Sequence, residues 1–369
     1  MKLIDIKNKN EQSLRISINY SLILGTSIRI KNIFSHKEPK GLEKHHVELI
    51  KTLIENKILK AENNFLGSTE ITIHPLNNKL PRRIIFDLKE TRPSILTIDS
   101  IIWFLLFQKK PITLNIKGLN HEMKTPSINY FKETILRYLK RYFKQYDIKI
   151  LEPGVYPETG TIELSFIPKF DLETKGKIPP IDLQSQKKLI SIKTLISNQN
   201  NEVLTRSEEI IRLYLKKYCK NIIINTRLTK GPSTAISTFA FFGNEEGFDN
   251  DHAFVKGKES IISKNIGDSE LIEFMKAIKE IISETEKEFL DDWSAEFLIP
   301  LMALVSGSIP IKKVTKQMTD TFEIIKELLE VKFTFENNIL SCKGFFQKEN
   351  NQEDKNESSP EKIIRLEEL

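Results

Sequence analysis

A pattern of apolar positions that recurs three times along the chain constrains the fold more than any other feature. Residues 11–24 have helical spacing, and 27–31 read as a strand. Residues 41–56 read as a second helix with Val47, Ile50, Leu53 and Ile54 on one face, and 69–73 as an alternating strand. The order returns with a helix at 94–107, a strand at 111–117 (Ile112, Leu114, Ile116), a helix at 127–144 and a strand at 161–167. Ser127 after Pro126 is a candidate cap for that second helix. A third copy has helices at 288–304 and 317–330, then strands at 331–336 and 339–343. A period repeated in this way predicts stacked, pseudo-symmetric layers. The expected class is α+β (α/β layers), with three helix–strand–helix–strand units and an inserted small α/β domain.

The insert is expected at 181–285, after Pro179-Pro180, because that block breaks the period. Within it, a helix near 205–219, strands at 222–224 and 234–242, and a long helix from Asp268 toward 287 are expected. The repeated domain is then 1–180 plus 286–345. From 346 to 369 the chain turns to Gln, Asn, Glu, Lys and Ser, which cannot bury enough apolar surface to order itself. A disordered tail is expected there, with 360–369 either a frayed end or a short helix on a protein partner.

Composition narrows the function classes. The 56 Lys and Arg against 50 Asp and Glu leave a net charge of +6, which permits contact with RNA without requiring it. The cysteines are Cys219 and Cys342, and no Cys or His set has metal spacing, so neither a disulfide framework nor a metal site is expected. The start is too short and charged for a signal peptide, and the longest apolar run, 95–107, is interrupted by Asp99 and too short for a bilayer span. An intracellular, cytoplasmic chain without a membrane association is expected. Only 14 of 369 residues are glycine, roughly half the usual share of about 7%. That shortage argues against a backbone cradle for nucleotide phosphates.

Several short motifs fall in a telling order. Gln12-Ser13-Leu14-Arg15 opens the first helix, and Gly25 to Ile30 leads a basic strand. Gly41-Leu42-Glu43-Lys44-His45-His46 and Leu66-Gly67-Ser68-Thr69-Glu70 follow. Later come Gly118 with Pro126-Ser127, Gly154-Val155-Tyr156-Pro157 with Gly160, and Phe297 to Leu304. The set resembles the RNA 3'-terminal phosphate cyclase family from about residue 8 to 345. The resemblance implies a three-repeat fold with an insert. It also implies a chemistry in which a histidine takes AMP from ATP and passes it to an RNA 3'-phosphate, and the 2'-hydroxyl then closes a 2',3'-cyclic phosphate. Imidazole suits that role because it is also a good leaving group, and a divalent metal would neutralise the phosphates.

The same resemblance marks what has changed. The nucleophile position falls at Gln317, or at Lys316 with a one-residue shift, and the last histidine of the chain is His252. Asn8-Lys9-Asn10-Glu11 replaces an acidic residue and a glycine triplet, Phe34 an arginine, Ala295-Glu296 an Asp-Gln pair, and Thr91-Arg92-Pro93 glycines. Gln12, Arg15, Lys37 (for an arginine) and His46 remain as nucleotide- or phosphate-binding remnants, with Glu296 a further candidate. Each has a plainer reading as a packed, capping or solvated residue, and His45 is expected to be exposed. Lys316 could carry AMP as a phosphoramidate if its pKa were depressed. The basic residues Lys37, Lys40, Lys44, Arg82, Arg83, Arg137, Lys140, Arg141 and Lys144, interleaved with Tyr138, Tyr142 and Phe143, read either as a phosphate-tracking face or as solvated helix surface. Trp103 and Trp293 are expected in the core.

The combined expectation is a cyclase-like protein without the adenylation step, acting in RNA processing or ribosome assembly by binding RNA or protein. It would be nucleolar if eukaryotic, with no cofactor. The alternative is a divergent ATP-dependent cyclase using ATP and Mg2+.

Overall fold

Each apolar period folds into a four-stranded sheet with two helical segments. The structure, a computed structural model, describes residues 1–76, 79–88, 92–120, 125–152, 154, 159–171, 174, 178–183, 189–197, 201–215, 222–229, 235–243, 256–262, parts of 272–283, and 289–347. The first unit runs β1 (Lys2–Asp5), α1 (Glu11–Leu24), β2 (Ile28–Lys31), α2 (Lys44–Glu55), β3 (Leu59–Glu62) and β4 (Glu70–Pro75). Its sheet order is β1-β2-β4-β3, with β1 parallel to β2 and the remaining pairs antiparallel. The second unit has β5 (Arg83–Asp87), α3 (Ser94–Asp99), α4 (Ile102–Leu105) and β6 (Ile112–Gly118). A composite helix of Ile128–Tyr130 (α5), a π turn Phe131–Ile135, Leu136–Leu139 (α6) and a 3-10 turn Lys140–Tyr142 leads to β7 (Phe143–Glu152) and β8 (Gly160–Pro168). Its order, β5-β6-β8-β7, repeats the first.

The third unit is split. Its opening strand β9 (Ile181–Asp182) pairs in parallel with Gly307 and Ser308. A separate sheet of β10 (Leu189–Ser197), β11 (Ile222–Thr229), β12 (Ala235–Gly243) and β13 (Lys256–Ile262) intervenes, in the order β11-β10-β12-β13, with α7 (Asn201–Leu215). The unit then resumes with α8 (Asp292–Val305), β14 (Gly307–Pro310), α9 (Lys316–Leu329), β15 (Phe333–Glu336) and β16 (Ile339–Cys342), in the order β15-β16-β14-β9. The repeat is therefore β-α-β-α-β-β; the expected units lacked the first and third strands in the first two copies and the first and second strands in the third. The intervening elements begin after Asp182, because residues 181–182 complete the third sheet.

Helices, not sheets, form the centre. Every α1 residue from Gln12 to Ile23 is buried, and α8 is buried along most of its length. A helix buried on all sides belongs inside a larger protein, although α1 also buries Gln12, Arg15, Asn19 and several serines. Tyr20 on α1 donates to the Pro300 carbonyl of α8 at 2.7 Å, and Trp103 on α4 packs edge-on to Phe297 of α8 with centroids 4.9 Å apart. One helix from each unit thus meets the other two. The sheets lie outside, and β8 alternates buried and half-exposed residues as a one-faced strand should.

The expected helix over 94–107 breaks between α3 and α4 for a definable reason. Asn19 of α1 donates to the Asp99 carbonyl at 2.8 Å and accepts from the Phe104 N–H at 3.2 Å, so it satisfies backbone groups on both sides of the break. The expected tail begins too early: Phe346 is 2% exposed and packs on Phe107, while Gln347 accepts from Ser306. Residues 348–369, including the 360–369 segment, lie outside the described residues, as do Cys219 and most of the expected 268–287 helix.

Two of the motif glycines explain how α2 is aimed. Gly41 has φ +78°, and a Cβ there would sit 2.2 Å from the Gly67 carbonyl oxygen. The backbones at 41–42 and 67–68 are cross-linked, with Leu42 N–H to Ser68 O and Gly67 N–H to Leu42 O both at 2.8 Å. That clasp sets the start of α2, where His45 and His46 stand.

Candidate functional site

A cleft of about 260 Å³ opens where α1, α3, α8 and α9 approach. Gln12, Arg15, Glu296 and Gln317 line it, as do Asn10, Glu11, Asp99 and Trp293. The structure therefore brings together four of the residues picked from sequence. His46 lies directly behind Glu11. Lys37 is a layer further back, its Nζ 4.3 Å over the Phe34 ring, which is 5.2 Å from the His46 ring. Lys316 is exposed at the start of α9 and does not line the cleft.

Gln12 is tied to the fold. Pro300 inside α8 has no N–H, so the Glu296 carbonyl one turn earlier loses its helical partner. Gln12 Nε2 donates to that carbonyl at 3.2 Å, and Gln12 Oε1 accepts from Gln317 Nε2 at 3.1 Å. Gln12→Ala is expected to cost about 1–3 kcal/mol by leaving a carbonyl unsatisfied, read as a lower denaturant midpoint at unchanged m-value.

Arg15 and Glu11 form a buried charge network. Arg15 Nε donates to Asp99 Oδ2 at 2.8 Å, and its NH1 lies 3.2 Å from Glu11 Oε1. His45 Nε2 and His46 Nε2 are also each 3.2 Å from that oxygen. His45 is buried, against expectation, because this carboxylate holds it. Glu43 continues the chain outward, pairing with Arg92 and lying 3.8 Å from His45 Nδ1. Burial would raise the Glu11 pKa, but the two histidine contacts and the Arg15 charge outweigh it and hold it well below the usual carboxylate range. Burial raises Asp99, and Arg15 only partly offsets this.

Glu11, His45 and His46 each offer one ligand atom, all within 4.8 Å of one another. The sequence showed no such set, because two of its members are adjacent and the third is on another helix. His46 Nδ1 accepts the Glu43 N–H at 3.1 Å, which places the ring proton on Nε2. Burial lowers the His46 pKa more than Glu11 raises it. A proton-bearing Nε2 has no lone pair for a cation, so the trio presents only two available metal donors.

Glu296 accepts from Thr315 Oγ1 at 2.9 Å, and burial pushes its pKa up to about 7. A folded-state pKa above the usual 4.5 means that the folded chain binds more protons between those values, so stability falls as pH rises through that window. Glu296→Gln removes this term. Its melting temperature relative to the parent is expected to be more favourable at about pH 8 than at about pH 5, measured by thermal melts.

The residues where the resemblance places a glycine triplet are stapled in place. Lys9 pairs with Glu323, and Asn10 Nδ2 lies 3.4 Å from Asp320 Oδ2, both on α9. Asn10 also caps α1 through the Ser13 N–H at 3.3 Å. The basic, aromatic-rich helix is no continuous phosphate track: Tyr138 and Tyr142 are buried, and Arg141, also buried, donates to the Pro180 carbonyl at 2.9 Å. Trp293, expected in the core, is half-buried at the cleft and meets Tyr130 edge-on. Asp99 was signalled only as a lone charge in an apolar run, and such a residue requires a partner.

Comparison with known proteins agrees with the repeats and the motifs. A family model described as RNA 3'-terminal phosphate cyclase matches residues 6–335. A protein named RNA 3'-terminal phosphate cyclase in Sulfolobus acidocaldarius is 22% identical over 331 residues, covering 87% of this chain and 92% of the relative. Proteins of the same name are 24% identical in Methanococcoides burtonii (88% and 93% covered) and 26% identical in Sulfurisphaera tokodaii (87% and 91%). With three like sheets, a split third unit and a match spanning nearly all of them, the chain belongs to the RNA 3'-terminal phosphate cyclase family.

Proposed function

We propose that this chain acts on RNA as a family member that has given up adenylate transfer, binding RNA in RNA processing or ribosome assembly. The observation that carries the reading is the loop 8–11. Side chains of Lys9, Asn10 and Glu11 tie it to α9 and α2, where a phosphate cradle needs bare backbone donors. Gln317, at the position that the resemblance assigns to the nucleophile, is an amide bonded to Gln12 and has no nucleophilic lone pair to offer.

ATP and Mg2+ do not fit the residues present. Glu11 is crowded by Arg15, His45 and His46, each 3.2 Å from one carboxylate oxygen, Asp99 is paired with Arg15, and Glu296 is half-protonated near neutral pH. No cofactor is proposed. RNA is the proposed partner, reached in the cytoplasm, or in the nucleolus of a eukaryote. Among the described residues no helix is long and apolar enough to cross a membrane.

The names and the coverage of the relatives favour a second reading, an ATP-dependent cyclase forming 2',3'-cyclic phosphate ends. Incubation with labelled ATP and Mg2+ or Mn2+ separates the two. The first reading expects no covalent AMP, together with RNA affinity that falls steeply with salt. An adduct abolished by Lys316→Ala or Gln317→Ala, or cyclisation of a 3'-phosphorylated oligonucleotide, establishes the second.

A further inference from the structure

The sheet inserted into the third unit has two faces of different chemistry. β10 is central, parallel to β11 and antiparallel to β12, and β13 closes the far edge. Successive residues of a strand alternate between faces, and residues paired across strands share one. Ile192 and Ile196 of β10 are fully buried, and their partners are Ile224 and Leu228 on β11 and Ala240 and Ile236 on β12. That face is aliphatic, as a face under a crossover helix must be. The helix is α7, which joins β10 to β11, packs on β11 and buries Ile211.

The other face has a different composition. One row across the four strands is Asn225, Lys193, Phe239 and Glu259. The next row holds Ser191, Phe241 and Gly257, and Arg227 pairs with Leu195 on the opposite flank. A dry second layer would not set aromatic positions beside Lys, Glu and Arg, because such charges are almost never fully buried. Two aromatic positions two residues apart on a central strand, among hydroxyl, amide and basic neighbours, are what a four-stranded sheet uses to take single-stranded RNA.

We infer that this face of the inserted sheet binds single-stranded RNA, with Phe239 and Phe241 each taking a base and Lys193 and Arg227 the phosphates. The inference rests on the RNA reading above and names the surface that serves it. The two aromatic positions are about 6.6 Å apart along β12, so separate bases stack on them. Every base has a π-face, so the grip tolerates sequence. Gly257, the partner of Phe241, donates its N–H to Asp291 Oδ2 at 3.3 Å, and Asp291 caps α8. Trp293 and Glu296, near the start of α8, line the cleft. A strand lying across the sheet toward that edge arrives at the cleft, and the insert holds the nucleotides that precede its end.

The test is fluorescence anisotropy of a labelled oligouridylate with a 3'-hydroxyl end. A length of about ten nucleotides falls within the roughly 4–16 that comparable surfaces cover. The full chain, Phe239→Ala, Phe241→Ala and the double variant are titrated. Each single substitution is expected to weaken binding by about 5- to 100-fold, the loss of one base–aromatic stack. Phe239→Tyr, which keeps a ring, should stay within about threefold of the parent. Lys193→Gln should reduce the steepness of log K against log salt by about 0.7. A duplex of the same length should compete at least about tenfold less well, because its bases are already stacked. Circular dichroism establishes folding, and if the double variant unfolds, the single variants decide. Folded alanine variants with parental affinity overturn the proposal and leave the RNA reading standing. A parent chain without saturable RNA binding overturns both. Alanine variants that lose concentration-dependent self-association but keep RNA affinity assign the face to a second copy of the chain, and also overturn the proposal.

Discussion

Arg15→Met is expected to lower folding stability by about 3–5 kcal/mol, the scale of breaking a buried ion pair from one side. Methionine keeps most of the buried volume, so the loss isolates charge. Asp99, 5% exposed, loses the guanidinium that faces it at 2.8 Å. Its pKa is already raised by burial, and without Arg15 it rises further. The sign follows from linkage: a carboxyl with a raised folded-state pKa destabilises as pH rises through that value. The variant should therefore recover more stability on mild acidification than the parent does. Adding Asp99→Leu should restore part of the loss at neutral pH. Chemical denaturation of the four corners of that cycle, at two pH values, measures both effects. A single mutant within about 1 kcal/mol of the parent would show that the pair behaves as a surface contact.

Trp103→Ala is expected to cost a similar about 3–5 kcal/mol, through a cavity at the junction of the three units. Trp103 is 0% exposed and packs against Phe297, which in turn meets Phe131 at 5.7 Å. A typical domain has only about 5–15 kcal/mol in total, so this change alone brings the chain near its unfolding threshold. Trp103→Phe, which keeps a ring against Phe297, should cost clearly less. Equal losses from the two substitutions in denaturant titrations would mean that packing at this junction is not what the site requires.

Helix positions were legible where the apolar period was strong. Residues 11–24 and 317–330 match α1 and α9 within a residue, because each carries apolar residues at helical spacing, Leu14, Ile18 and Leu22 on α1 and Met318, Ile325 and Leu329 on α9. The missed strands are those with little buried surface. Arg83–Asp87 alternates in burial but exposes the apolar Ile85 between Ile84 and Phe86, and β7 buries few of its ten residues, so neither shows a clear alternation in sequence. Helical spacing also ran on to Tyr142, and sequence alone could not mark the change to a strand at Phe143. In the cleft, Gln12, Arg15, Glu296 and Gln317 were found through the resemblance. The burial of His45 was not, since its partner Glu11 is on another helix and no local pattern joins them.

The split of the third unit between β9 and α8 has a consequence for how such a chain can diversify. The two cut ends are already held, one by pairing with β14 and the other by the buried α8. The entropic penalty of a longer excursion between fixed ends grows only logarithmically, about 0.6 kcal/mol per doubling. The break is therefore a graft point, where whole modules can be lengthened or exchanged with little thermodynamic penalty to the three-layer body. Selection for a new binding partner can act on that module while the parent architecture stays as it is.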